Sequence, residues 1–245
     1  MKPLISIRNM RKARGDRGEN RIEIRRFTLA AGEIVGITGE NGCGKSTLLD
    51  MMGLLLEPDS ASDFHFFSGG DASAWSPAKK ARFRREHFAY IPQRCGLLEF
   101  LNIRDNIDFT ARMNGGRWSD FDNLVNMLEL TSLLGKKPGK LSGGQRQKAA
   151  IVCALARRPK IIFADEPISA LDPEMAGRVI QQFRGLARRQ NVAVALVSHD
   201  ERIVENLADK IYIFKVKRQA NGHSLSTLDE PPAASPGPHQ SKERR

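Results

Sequence analysis

Apolar and polar positions alternate over Ile5-Ser6-Ile7 and again over Ile22-Glu23-Ile24, the period of half-buried strands, with a polar stretch at 14–20 as the turn between them. Ile34-Val35-Gly36-Ile37-Thr38 is short and almost wholly apolar, which predicts a strand buried on both faces, and a helix follows over 46–52. From about 93 to 158 the period changes to 3.6. Apolar residues fall at 121, 124, 125 and 128, and a second helix over 145–157 sets Ala149, Val152, Cys153 and Ala156 on one face. Strands return at 161–164, 192–197 and 211–214, with a helix over 173–189 among them. Strands that alternate with crossover helices predict an α/β layered domain around a parallel sheet. After about 215 the periodicity fades, and four prolines between 231 and 238 predict a disordered, basic, Pro-rich tail over 215–245. No internal repeat is present, so the chain reads as one such unit.

Charge changes this picture only locally. The 245 residues carry a net +11. Much of the excess lies in residues 1–26, where Lys2, Arg8, Arg11, Lys12, Arg14, Arg17, Arg21, Arg25 and Arg26 face only Asp16, Glu19 and Glu23. This reads as a solvated face plus attraction for phosphate, and no direct nucleic-acid partner is expected. No apolar run approaches the roughly 18 residues of a membrane helix, and no apolar stretch follows Lys2 as a secretory leader requires. Cys43, Cys95 and Cys153 are odd in number and widely spaced, which predicts neither a disulfide framework nor a zinc site. A reduced, cytosolic chain is the expectation.

The chemistry lies in three motifs. Gly39-Glu40-Asn41-Gly42-Cys43-Gly44-Lys45-Ser46-Thr47 fits the phosphate-cradling loop G-x-x-x-x-G-K-[ST], and it stands between a predicted strand and a predicted helix as that loop requires. Its glycines let the backbone amides converge, Lys45 reaches the β- and γ-phosphates, and Ser46 offers a hydroxyl to magnesium. A thiol at Cys43, near a helix start, reads as small filler with a lowered pKa. Ile161-Ile162-Phe163-Ala164-Asp165-Glu166 is an apolar strand ending in two carboxylates at the edge where open α/β sheets bind ligands. Asp165 suits a magnesium contact, and Glu166 suits the general base that polarises the attacking water. Leu141-Ser142-Gly143-Gly144-Gln145 opens a helix with Ser142 as cap and exposes amides at a second anion-binding start.

All three motifs in this order resemble the ATP-binding subunit of an ABC transporter, over roughly residues 4–214. The resemblance implies a P-loop NTPase fold with a RecA-like parallel sheet core (1–92 and 159–214), an N-terminal antiparallel β subdomain and an inserted helical subdomain (93–158). It implies ATP and Mg2+ as ligands, with Ser46, Gln93 and Asp165 at the metal. It also implies that two copies pair head to tail, so that Ser142, Gly143, Gly144 and Gln145 of one copy close on the ATP of the other. Gln93 matches the glutamine loop, Ser169-Ala170-Leu171-Asp172 the loop that crosses the dimer, and His199 the switch histidine that contacts the γ-phosphate. The chain is then peripheral, on the cytoplasmic face of the membrane, and coupled to a separate integral membrane subunit.

One departure concerns the base. The family normally stacks an aromatic ring on adenine, at a place that falls near Arg14 here, and no aromatic occurs between Met1 and Arg26. A guanidinium plane can stack in its place. Length, single cassette and the stretch 96–107 resemble the ATPases of lipoprotein-release and macrolide-export systems, although Glu99 stands where many of these have proline. In that stretch Leu97, Leu98, Phe100 and Leu101 are expected to line a groove for a helix of the membrane subunit. A soluble ABC ATPase outside transport, such as an iron–sulfur assembly component or a mechanical switch, is the alternative.

Overall fold

The computed structural model describes residues 3–15, 18–67, 69–113, 121–199, 201–218 and 223–231. Five parallel strands form the centre: β3 (Ile34–Thr38), β6 (Phe88–Ile91), β7 (Ile161–Asp165), β8 (Ala193–Val197) and β9 (Lys210–Ile213), in the spatial order β6-β7-β8-β3-β9. Every residue of β3, β7 and β8 is buried. Helices cover both faces of such a sheet, which is why its strands are continuous apolar runs. On one face pack α3 (Ile103–Arg112), α5 (Gly143–Leu155) and α6 (Pro173–Gln190), sharing one apolar core with the sheet. The opposite face holds α1 (Lys45–Met52), which shares a second core with the N-terminal sheet. Another helix, α7 (Glu201–Leu207), lies so close to β3 that a β-carbon on Gly36 would stand 2.1 Å from a methyl of Val204.

The N-terminal sheet is six-stranded, in the order β10-β11-β2-β1-β4-β5. It comprises β1 (Ile5–Arg14), β2 (Asn20–Leu29), β4 (Asp63–Phe66), β5 (Gly70–Asp71), β10 (Lys215–Arg218) and β11 (Ser224–Leu228). Alternation does its work here: Ile5, Ile7, Met10, Ile22, Ile24, Phe27 and Leu29 are all buried on one side. An aromatic seam joins the two sheets. Phe66 of β4 meets Trp75, Phe83 of α2 (Pro77–His87) and Phe88 of β6, and Phe88 meets Phe163 of β7 edge-on with centroids 5.1 Å apart. A second tie is Tyr212 of β9, whose hydroxyl accepts from Thr28 N at 2.9 Å. Among the described residues no helix is long and apolar enough to cross a membrane.

Between 93 and 158 stand α3, α4 (Phe121–Met127) and α5. The helix expected over 121–130 is shorter, because Glu129 takes a left-handed φ of 58° and ends the helical path. The segment 97–102 has no regular structure of its own. Buried Asn106 of α3 holds it: its amide oxygen accepts from Leu98 N at 2.8 Å, and its nitrogen donates to the carbonyls of Leu98, Leu101 and Asn102.

The expectation of a structureless tail from 215 is corrected for its first part, while 232–245 lies outside the described residues. β11 runs parallel to β2, with Ser224 opposite Asn20 and Leu228 opposite Ile24, and β10 pairs antiparallel to β11 at the sheet edge. The N-terminal sheet therefore contains one parallel pair and takes strands from two distant parts of the chain. The apolar signal was weak for physical reasons. β10 is a charged edge strand, Lys-Val-Lys-Arg, a common guard against edge pairing. β11 buries Ser226 and Leu228, so only one of its two inward residues is apolar. Leu228 is fully buried. Leu228→Ala should lower stability by about 2–4 kcal/mol, measured by urea unfolding; no change would return this segment to the status of a loose tail.

Candidate nucleotide site

Three strand ends deliver the site. β3 runs into the loop 39–44, β7 ends at Asp165 and Glu166, and β8 ends before Ser198 and His199. These strands are neighbours with their C-terminal ends on one edge, the edge that takes ligands in such sheets. The cavity there has a volume of about 190 Å³ and is lined by Arg14, Asn41, Gly42, Gly44, Lys45, Ser46, Thr47, Gln93, Asp165, Glu166 and Val197.

The loop is shaped by close contact as much as by backbone freedom. A β-carbon on Gly44 (φ 112°) would come within 2.3 Å of Ile22 Cδ1, and one on Gly39 (φ 140°) within 2.9 Å of Phe214 Cβ. Both glycines are thus required twice, by left-handed backbone and by lack of room. Gly44 is the N-cap of α1 and supplies no side-chain cap, so the first amides of the helix are left for a ligand. Lys45 is buried, and its Nζ donates to the carbonyls of Gly39 at 2.7 Å and Glu40 at 3.0 Å. The Glu40 side chain turns away from the cavity, where its carboxylate accepts from Arg218 of β10 at 2.6 Å.

Cys43 reverses an expectation. Its thiol is buried behind the loop, 3.1 Å from the place of a Gly39 β-carbon. Burial pushes its pKa up, and the nearby Lys45 charge does not offset this. The lowered pKa expected from the helix start is overruled by desolvation.

Asp165 and Glu166 are both buried side by side at the cavity wall, with Glu166 in a left-handed φ of 51°. Glu166 Oε2 lies 2.9 Å from His199 Nδ1, and its backbone N donates to Val197 O at 3.0 Å. Gln93 lies exposed in the turn after β6 and reaches the cavity. Ser46, Gln93 and Asp165 therefore offer a hydroxyl, an amide and a single carboxylate within one cavity. Oxygen donors in that number fit magnesium, which keeps several waters and takes few carboxylates. Among the described residues no three His, Cys, Asp or Glu gather as a metal cluster.

The structure does not bring the 141–145 loop to this cavity, whose lining contains none of those residues. Ser142 instead heads α5 as a capping box: its hydroxyl accepts from Gln145 N at 3.3 Å, and Gln145 Oε1 accepts from Ser142 N at 3.0 Å. Gly144 is pressed against the chain after β7, since a β-carbon there would lie 2.7 Å from Ala170 O. Gly143 has open space around it. Asp172 caps α6 by accepting from Met175 N at 2.9 Å, a bond that holds its carboxyl below the usual range.

The residue that joins these pieces was not singled out from the sequence. Gln147 of α5 is buried; its Nε2 donates to Glu166 O at 2.7 Å and its Oε1 accepts from Ala170 N at 3.0 Å. A buried glutamine needs partners for both ends; in the sequence it stands among Gln145, Arg146 and Lys148, so nothing marks it as the inward one.

A profile of the family described as "ABC transporter" matches residues 23–169. This chain belongs to the ABC transporter family. The Aeromonas hydrophila macrolide export ATP-binding/permease protein MacB 1 is 38% identical over 220 residues, covering 87% of this chain and 33% of that protein. The chain thus spans about a third of the length of the curated macrolide-export relatives it matches. Among solved structures, a dimeric bacterial ABC transporter cassette superposes with a TM-score of 0.76 at 27% identity, over 86% of this chain and 94% of that one. The same cassette in a dimeric post-hydrolysis state bound to ADP and phosphate gives a TM-score of 0.75, also at 27% identity and over the same shares. The α/β cassette and the family read from the motif order both hold.

Reaction of the native chain with iodoacetamide near neutral pH should label half-buried Cys95 before Cys43 and Cys153, the last of which burial pushes up to about 12. Peptide mass spectrometry reads the order, and early labelling of Cys43 would mean that its thiol faces the cavity.

Proposed function

We propose that this ABC cassette is the ATP-hydrolysing subunit of an export-type transporter, closing head to tail with a second copy on ATP and Mg2+. The observation that carries this reading is the separation of the two anion-binding helix starts. The cavity beside α1 lacks any residue of 141–145, while Ser142 and Gly143 stand exposed at the head of α5. One copy cannot use both on one γ-phosphate, and a partner copy can. The dimeric state of the superposed cassettes supports the same pairing.

Within the closed pair the residues divide the work. Lys45 and the amides of 42–46 take the phosphates, and Ser46, Gln93 and Asp165 hold Mg2+, which neutralises phosphate charge. Glu166 polarises the attacking water as general base, and His199, 2.9 Å from its carboxylate, orients that group and meets the γ-phosphate. Gln147 positions Glu166 through its carbonyl and ties it to Ala170 at the dimer-crossing loop.

The membrane partner docks on the helical side, at the cytoplasmic face. A cavity of about 520 Å³ there is lined by Leu55, Tyr90, Leu97, Leu98, Phe109 and Met113 among others. Leu55, Phe109 and Met113 are exposed to 57%, 46% and 40%. Of the four leucine and phenylalanine positions expected to form this groove, Leu97 and Leu98 do line it. Phe100 stands outside at 70% exposure, and Leu101 is half-buried and also absent from the lining. An amphipathic helix of a permease is the proposed occupant. The relatives' description as export ATP-binding/permease proteins supports it over a soluble role.

Glu166→Gln should keep ATP binding and slow turnover by at least about 100-fold. Size-exclusion chromatography of that variant should give a dimer with ATP and a monomer without; monomer under both conditions would refute the head-to-tail closure. Phe109→Glu should leave melting temperature and basal hydrolysis near those of the parent chain and abolish stimulation by the permease. Equal loss of all three would make Phe109 a core residue.

A further inference from the structure

The β1–β2 hairpin sends one charged side chain, Arg14, into the nucleotide cavity. Arg14 Nη1 donates to Gly42 O at 3.3 Å and lies 3.8 Å from the place of a Gly44 β-carbon, above the start of α1. Other cations of β1 are neutralised: Arg11 by Glu23 at 2.9 Å and Lys12 by Asp59 at 2.7 Å. Among the described residues Arg14 has no carboxylate partner. Like Lys45, which donates to Gly39 O and Glu40 O, Arg14 rests on a carbonyl of the same loop.

Charge balance points the same way. Among the described residues the cavity wall holds two carboxylates, Asp165 and Glu166, and two cations, Lys45 and Arg14. With Arg14 removed, the wall would oppose a polyanion. The arginine is also delivered from a paired strand. Arg14 pairs with Asn20 across the hairpin, and Asn20 is held on its far side by Ser224 of β11, whose backbone N donates to Glu19 O at 3.0 Å. A guanidinium has five N–H donors in a fixed fork suited to phosphate oxygens, and its Nη1 edge is already turned to the loop backbone.

We propose that Arg14 is a phosphate-binding residue of this site, exchanging the Gly42 carbonyl for an oxygen of the nucleotide's phosphate chain when ATP enters. This rests on the reading of the cavity as the nucleotide site. It assigns Arg14 to the phosphates, and stacking on the base becomes the competing outcome.

Isothermal titration of the full chain without magnesium, using ATP and inorganic tripolyphosphate as separate probes, distinguishes them. Arg14→Gln should weaken both ligands alike, by about ten-fold, or ~1.4 kcal/mol. Arg14→Lys, which keeps the charge, should recover most of the loss for both, and both variants should melt at the parent temperature. Loss confined to ATP, with tripolyphosphate unchanged, would overturn the proposal and assign Arg14 to the base. An equal loss for Arg14→Lys and Arg14→Gln, or no loss for either, would overturn it as well. If the parent chain binds neither ligand, the nucleotide reading itself fails.

Discussion

Everything in the site depends on a six-residue stretch of backbone being held open with its amides inward. Its three glycines make that stretch costly to order, and few hydrogen bonds within it, such as Cys43 N to Glu40 O at 3.3 Å, offset the cost. Its shape comes from pressure on two sides: Ile22 of the hairpin against Gly44, and Phe214, just past β9, against Gly39. Both neighbours are buried parts of one apolar core, so the loop is a cast of that core's surface. Lys45 and Arg14 then need only short reaches to find the loop carbonyls already in place.

Behind the loop, mechanical connection runs through buried polar groups. Gln147 joins the helix that begins at Ser142 to the carbonyl of Glu166 and to Ala170. Asn106 does the equivalent for the segment 97–102 beside the apolar groove. In each case a side-chain amide replaces the backbone ladder that an irregular segment lacks, and leaving either end unpaired in the interior would cost about 1–3 kcal/mol. These are the places where an irregular chain is kept in one shape.

The legibility of the sequence followed burial. β3, β7 and β8 were readable because a strand covered on both faces must be apolar throughout, and the three site motifs stand at their ends or next to glycine turns. The β1–β2 hairpin was readable from the alternation over Ile5–Ile7 and Ile22–Ile24, although the inward phase shifts later in each strand. β4, α2 and β6 were not singled out, since they are short and their stabilising contacts are aromatic pairs between distant residues, such as Phe66 with Phe88. β10 and β11 were read as tail because lysines and a buried serine erase the apolar period. At Cys43 the filler role agrees with its burial while the pKa runs the other way, because sequence gives proximity to a helix start and says nothing of depth.

The parallel pairing of β11 with β2 has a consequence for synthesis. The hairpin emerges from the ribosome early, yet its outer neighbour, its partner Phe214 across the glycine loop and the Arg218 that holds Glu40 are all made roughly 200 residues later. Contacts so far apart in sequence close late and slowly. The loop is therefore synthesised long before the side chains that shape it, and its contacts with Phe214 and Arg218 cannot form until the C-terminal strands exist.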